Sequence, residues 1–317
     1  VRVTLQPPVA HPIAAAAAMV IETATRPLTP DEIAAEVDRL GGMRFDGRSF
    51  QGRALPATHI AAEGPGLVIS AGQHANETSG IVGALRAGKQ LAARGTVNFA
   101  LIPLANPDGH ALHHWLRETH PRHMHHAARY TALGDDLEFR KAAPYYEKAT
   151  RLEAYRRTGA GLHLNLHGYP SHEWTRPLTG YAPPRFSAWA IPRGYFLIAH
   201  HAPGLSEQAH AFLRALAEAA AAVPGLRDYN ERHLATYFAH TGTRPDLIHD
   251  SVPCLISETA SPDVPLTVIT EYPDETIYDD AFRLAHDVQT ATVLAAVDLY
   301  LRPGGLAEVI AGRSAAR

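Results

Sequence analysis

The chain has 317 residues, of which 46% are hydrophobic and 19% charged, with a formal net charge of -3. That composition belongs to an ordinary globular protein with enough chain for a sizeable core. It excludes a nucleic-acid binder, which carries a basic face, and no apolar run is long enough to cross a bilayer.

Near the start, AHPIAAAAAMVIETA is Ala-rich but lacks a basic leader and an A-x-A-like cleavage site. Residues 1–28 are expected to form an N-terminal extension, read as a helix or as the tail of an upstream region, ahead of one domain over 29–317. In LTPDEIAAEVDRL, Thr29 is an N-cap, Pro30 opens the helix and Glu32 completes a capping box; Ile33, Val37 and Leu40 face inward. GRSFQGRALPATHIA reads as a turn and an edge strand. Short apolar runs at 67–69, 97–104, 162–166, 195–199 and 252–256 suit strands buried on both faces. Helical patterns near 77–93, 205–222 and 279–300 alternate with them. This order predicts a single-domain α/β/α layered structure with a mixed, largely buried central sheet. The single cysteine, Cys254 in VPCLIS, excludes an intramolecular disulfide and reads as a small core residue. With no signal peptide, it points to the cytoplasm. Nothing in the pattern specifies an oligomeric state.

The stretch SAGQHANETSG places His74 and Glu77 three residues apart, between a strand-like run and a helix. In a chain with 20 histidines such a pair is cheap. Its weight comes from convergence. His74, Asn106 and His167 each follow a strand-like run and Glu258 ends one, so the carboxyl edge of a sheet would collect them. A catalytic zinc takes three protein ligands from His and Asp/Glu and keeps a fourth position open. His163, Asn165 and His167 share one strand face, which makes His163 a competitor of His167. Two His and one carboxylate also suit iron.

HANE at 74–77, NPDG at 106–109, LHGY at 166–169 and the Glu of LISET at 255–259 resemble, in order and spacing, the zinc carboxypeptidase family of carboxypeptidase A. GRSFQGR at 47–53 and TYFAHTGTRPD at 236–246 are similar to further elements of that family. The resemblance spans about Thr29 to Leu301. It implies a carboxypeptidase A-like fold, one Zn2+ and hydrolysis of an amide bond, with release of a C-terminal residue. His74, Glu77 and His167 match the zinc ligands, and Glu258 matches the general base. Tyr237 matches the substrate-binding Tyr, and Asp136 in GDDLEFR the Asp that fixes the first zinc His. An arginine among Arg117, Arg122 and Arg129 should stabilise the oxyanion. Arg129 is favoured because RYTALGDDL resembles the related aspartoacylase branch.

The pattern is broken at Glu138-Phe139, where the family has an Asn-Arg that grips the substrate's terminal carboxylate. A carboxylate there would repel another, unless Arg140 takes over the grip. Arg244 falls where the family sets side-chain preference; in a pocket it would favour an acidic residue. The expected partner is a peptide, or an N-acyl amino acid if the chain is a deacylase of the aspartoacylase or succinylglutamate desuccinylase type. A third reading is a non-catalytic family member. No nucleic acid or membrane is expected. The His-rich segment 110–126 reads as a solvent-exposed loop that could titrate near pH 6.5.

Overall fold

The computed structural model describes residues 19–123, 125–169, 193–260, 262–273 and 277–315. Two-residue strands β2 (Gly47–Arg48) and β3 (Ala54–Leu55) pair as a small hairpin. A nine-stranded sheet runs β1 (Met43–Arg44), β4 (Thr58–Ile60), β6 (Asn98–Ile102), β5 (Gly66–Ala71), β7 (Leu162–Tyr169), β11 (Leu266–Pro273), β8 (Phe196–His201), β10 (Val252–Glu258) and β9 (Ile248–His249). The strands β6, β5, β7 and β11 are parallel. β8 runs antiparallel to β11, and β10 runs parallel to β8, so these two point the other way.

The central strands β5 and β7 are buried along their whole length, as their continuous apolar runs predicted. Leu67, Ile69, Leu162, Leu164 and Leu166 face the main core. Helices α1 (Pro30–Leu40), α2 (Ser79–Arg94), α5 (Ser206–Ala221) and α7 (Asp279–Leu301) supply the other half of that core. On the opposite face α4 (Glu147–Thr158) packs over β5 and β6 through Ala154, with Val68, Ala100 and Ile102. The layers are therefore α/β/α. The remaining helices are α3 (Pro107–Thr119), α6 (Leu226–Thr241) and α8 (Leu306–Ala315). None of the described helices is long and apolar enough to cross a membrane.

The capping box forms as expected: the Glu32 N–H donates to Thr29 Oγ1 at 3.2 Å, and the Thr29 N–H donates to Glu32 Oε2 at 2.7 Å. Cys254 is buried in the core. The expected domain boundary at Thr29 moves. Ile21, Ala24 and Leu28 are buried in the main core, so residues 21–28 belong to the domain rather than to an extension. Residues 1–18 lie outside the described residues.

The His-rich segment is not the expected solvent-exposed loop. Its first half is α3, and His110, His113 and His114 are buried where α3 meets α1 and the 3₁₀ turn at His126–Arg129. Burial, reinforced by the neighbouring His114 and Arg117, holds His110 and His113 well below the usual imidazole pKa, and burial brings His114 to about 4. Folded, these rings stay neutral, while the unfolded chain binds protons below about pH 6.5. Stability must therefore fall as pH drops from about 6.5 towards 4. His114 alone accounts for about 2 kcal/mol by pH 5. Thermal melts should show Tm falling steadily from pH 7 to 5 and a shallower fall in His114→Gln; a flat Tm would contradict the burial.

Candidate metal centre

His74 and Glu77 sit in the turn between β5 and α2, where the Glu77 N–H donates to the His74 carbonyl at 3.0 Å. This turn lies against β7. A Cβ at Gly80, in the first turn of α2, would sit 3.0 Å from the Leu166 Cβ. That close approach sets Glu77 beside His167 at the end of β7. His74 Nδ1 lies 2.8 Å from Glu77 Oε1, and His167 Nδ1 lies 2.9 Å from Glu77 Oε2 and 3.0 Å from His74 Nδ1. All three residues are buried, and their donor atoms lie within 4.8 Å of one another. The Gly168 N–H donates to Glu77 Oε2 at 3.1 Å and fixes its carboxylate.

His74 is oriented from behind. Its Nε2–H donates to Asp136 Oδ2 at 2.9 Å, which leaves Nδ1 with its lone pair facing inward. Burial opposes charge on His74, but Glu77 and Asp136 outweigh it and raise the ring's pKa. The same contacts overcome burial at Glu77 and Asp136 and hold both carboxyls below their usual range. A lone-pair nitrogen, a carboxylate and a second ring nitrogen converging in a buried turn match the donor set of a zinc site with an open position. A cation held there would require these donors in their deprotonated forms. His163, the competing ligand, is already satisfied by Ser70 Oγ at 2.7 Å and Tyr155 Oη at 3.0 Å.

Of the three arginines, Arg129 alone reaches the centre. Its Nη1 is 2.9 Å from His74 Nδ1 and its Nη2 is 3.3 Å from Asp136 Oδ2. Arg122 is largely exposed beside Tyr278, and Arg117 lies near Arg26, Glu32 and Tyr278. The NPDG motif explains the placing of Arg129. Asn106 caps α3 by accepting from the Gly109 N–H at 2.9 Å, and its Nδ2 donates to the Tyr130 carbonyl at 3.1 Å. Gly109 is required because a Cβ there would meet the Ala128 carbonyl at 2.4 Å. Asp108 in turn accepts from Ser49 Oγ at 2.7 Å and Arg53 Nη1 at 2.7 Å. GRSFQGR and NPDG are thus one brace under the Arg129 segment.

The assignment of the base needs correction. Glu258 is exposed on β10, which runs antiparallel to β7, so its carboxyl end lies at the opposite edge of the sheet. Glu258 pairs with His201, His201 with Leu266, and Leu266 with Leu162 at the start of β7. At usual strand spacings that is on the order of 20 Å from His167. The carboxylate beside the centre is Glu271, the register partner of His167 on the adjacent parallel strand. Paired residues on neighbouring parallel strands project from the same face, so Glu271 stands on the face of the metal donors. The missed signal is LTVITEYP, where Leu266, Val268, Thr270 and Tyr272 are buried and the alternate positions half-buried.

Two further expectations are overturned. Arg140 cannot grip a substrate: its guanidinium is buried against Glu147 at 2.7 Å and Asp135 at 2.6 Å and also donates to the Tyr145 carbonyl. Arg244 is exposed beyond the end of α6 and lies over the Phe238 ring, 5.7 Å from its centroid, so it forms no acidic-specific pocket. Tyr237 sits within α6, half-buried. Arg193 lies over both the Tyr237 and Phe196 rings. Phe196 is the register partner of Glu271, which puts Tyr237 at the metal end of the sheet.

Residues 31–139 match the profile of a family described as zinc carboxypeptidase. That stretch holds His74, Glu77, Arg129 and Asp136 together. The likeness to the zinc carboxypeptidase family thus lies in about a third of the chain, the part that carries most of the centre. The chain is similar in fold to a candidate metallopeptidase of Shewanella denitrificans, with 18% identity, TM-score 0.52, and 84% of this chain and 89% of the other covered. It is also similar to carboxypeptidase A of Helicoverpa armigera, with 14% identity, TM-score 0.52, and coverage of 88% and 75%. A metallo-carboxypeptidase of Pseudomonas aeruginosa in complex with (2-guanidinoethylmercapto)succinic acid gives 17% identity, TM-score 0.50, and coverage of 86% and 69%. No curated protein matches the chain. The matched segment and the donor cluster, the one such cluster among the described residues, support zinc-dependent hydrolysis of a peptide or amide bond.

Proposed function

We propose that this protein removes a C-terminal residue from a peptide, with Glu271 as the general base. The observation that carries the reading is the register of β11 against β7, which sets Glu271 beside His167. Zinc held by His74, Glu77 and His167 supplies Lewis acidity towards the scissile carbonyl and towards water. The Glu271 carboxylate takes the proton from the attacking water and returns it to the leaving amine. Arg129, with its guanidinium at the mouth of the centre, donates to the carbonyl oxygen as negative charge builds there. Asp136 holds the His74 tautomer throughout, and Tyr237 contacts the substrate from the same end of the sheet.

Arg129→Ala should lower kcat about 10²–10³-fold with KM little changed, because the donor acts on charge present only in the transition state. A change within about twofold would remove Arg129 from the role. The reading as a whole is tested by product identification. Zinc-loaded protein is given peptides together with N-acyl amino acids, and the products are read by mass spectrometry. Single C-terminal residues released from the peptides support it. Free amino acids arising only from the acylated set would move the protein to the deacylases, and no product would contradict catalysis.

A further inference from the structure

Behind His74 lies a second cation that the mechanism does not use. Arg151, on α4, is buried, with 8% of its side chain exposed. Its Nη1 donates to Gln73 Oε1 at 2.9 Å. Gln73 donates to Asp136 Oδ1 at 3.0 Å, and Asp136 accepts from His74. Only two side chains therefore separate Arg151 from a metal donor. On the other side, Arg151 Nη2 meets Glu138 Oε2 at 3.0 Å, while Nε is buried without a hydrogen-bond partner.

Glu138 and Phe139 stand where the family's Asn-Arg grip would be. The Phe139 side chain is out in solvent, 75% exposed, and Arg140 is committed elsewhere. The Glu138 side chain is 50% exposed, and its ion pair with Arg151 faces solvent on that side. It is also flanked by cations. Lys148 is buried and its Nζ donates to the Glu138 carbonyl at 3.2 Å. Burial raises the Glu138 pKa, yet Arg151, Lys148 and Lys141 outweigh it and keep the carboxyl below its usual range. Asp263 also acts on Lys148, yet the cations dominate at Glu138 itself, which offsets the repulsion expected from the sequence.

The Nε and Nη2 atoms of a guanidinium form one edge of a planar fork that fits both oxygens of a carboxylate. Glu138 takes only one tine. We propose that Arg151 is the anchor for the substrate's free carboxylate, and that Glu138 is a built-in competitor displaced when that carboxylate seats bidentately on Nε and Nη2. Specificity for a free terminus then resides on α4, in a residue the sequence pattern did not single out. This rests on the proposed carboxypeptidase reading and names the group that selects its substrate.

The test uses binding rather than turnover. Zinc-loaded Glu271→Gln protein, unable to consume its ligand, is titrated calorimetrically with benzoyl-Gly-Phe and with the C-terminal amide of the same peptide. The acid should bind about tenfold or more tightly than the amide. Adding Glu138→Gln should raise that ratio several-fold, and adding Arg151→Gln should bring it near one. Equal binding of acid and amide in the parent, or an unchanged ratio in folded Arg151→Gln, overturns the anchor. Should Arg151→Gln fail to fold, an unchanged ratio in Glu138→Gln overturns it instead. C-terminal release by the wild type without an acid preference defeats the anchor alone. Absence of release with the preference intact defeats the carboxypeptidase reading alone.

Discussion

His167→Ala should abolish hydrolysis and stoichiometric zinc binding together, leaving a folded protein. The site has three donors, and the remaining His74 and Glu77 cannot hold the ion in a site that keeps an open position. Chelation of the wild type should do the same, reversibly on adding zinc back. Stability gives a second readout, because a ligand that binds only the folded state stabilises it. At a free zinc concentration 100 times Kd the gain is about 2.7 kcal/mol, read as a rise in Tm that His167→Ala should lack. Zinc content by mass spectrometry of the metal, measured beside activity, checks both. Full activity in chelated protein would remove the metal from the reaction.

Glu271→Gln should lower kcat by about three to four orders of magnitude while zinc content stays unchanged. General-base catalysis contributes about 10²–10⁴-fold, and the amide keeps the shape while losing the ability to take a proton. Glu258→Gln is the matched control. Glu258 is exposed at the far edge of the sheet, on a strand antiparallel to β7, so its replacement should leave kcat and KM within about twofold. Steady-state kinetics on the two variants side by side separates the assignments. A large loss in Glu258→Gln with little in Glu271→Gln would mean that the register of β11 and β10 is wrong.

The parts of this site that are local in the chain were legible in its sequence. Thr29-Pro30-Glu32 announced its helix because capping is decided within four residues. His74 and Glu77 were legible because a turn followed by a helix holds both. His167 was found from a strand alternation and the glycine after it. Arg129 and Asp136 emerged from short motifs, and the structure gives those motifs a mechanical reason in the Asn106, Gly109 and Asp108 brace.

What failed depended on long-range pairing. LISET and LTVITEYP each offer a glutamate at or near a strand end, and nothing local says which strand lies beside β7 or in which direction. The sheet reverses between β11 and β8, and that reversal separates Glu258 from Glu271. Arg140 and Arg151 are likewise indistinguishable as sequence. Only the packing of α4 turns Arg140 into a buried brace and aims Arg151 at Glu138. The His-rich segment misled by composition, since histidines at 110, 113 and 114 share a helix face that another helix covers.

Anomalous diffraction at the zinc absorption edge, on crystals grown with zinc, tests the central claim most directly. The expected result is one strong peak between His74 Nδ1, His167 Nδ1 and the Glu77 carboxylate, with the Glu271 side chain on the same face. A peak placed elsewhere, for instance among the buried histidines of α3, or none at the three donors, would contradict the assignment of this centre.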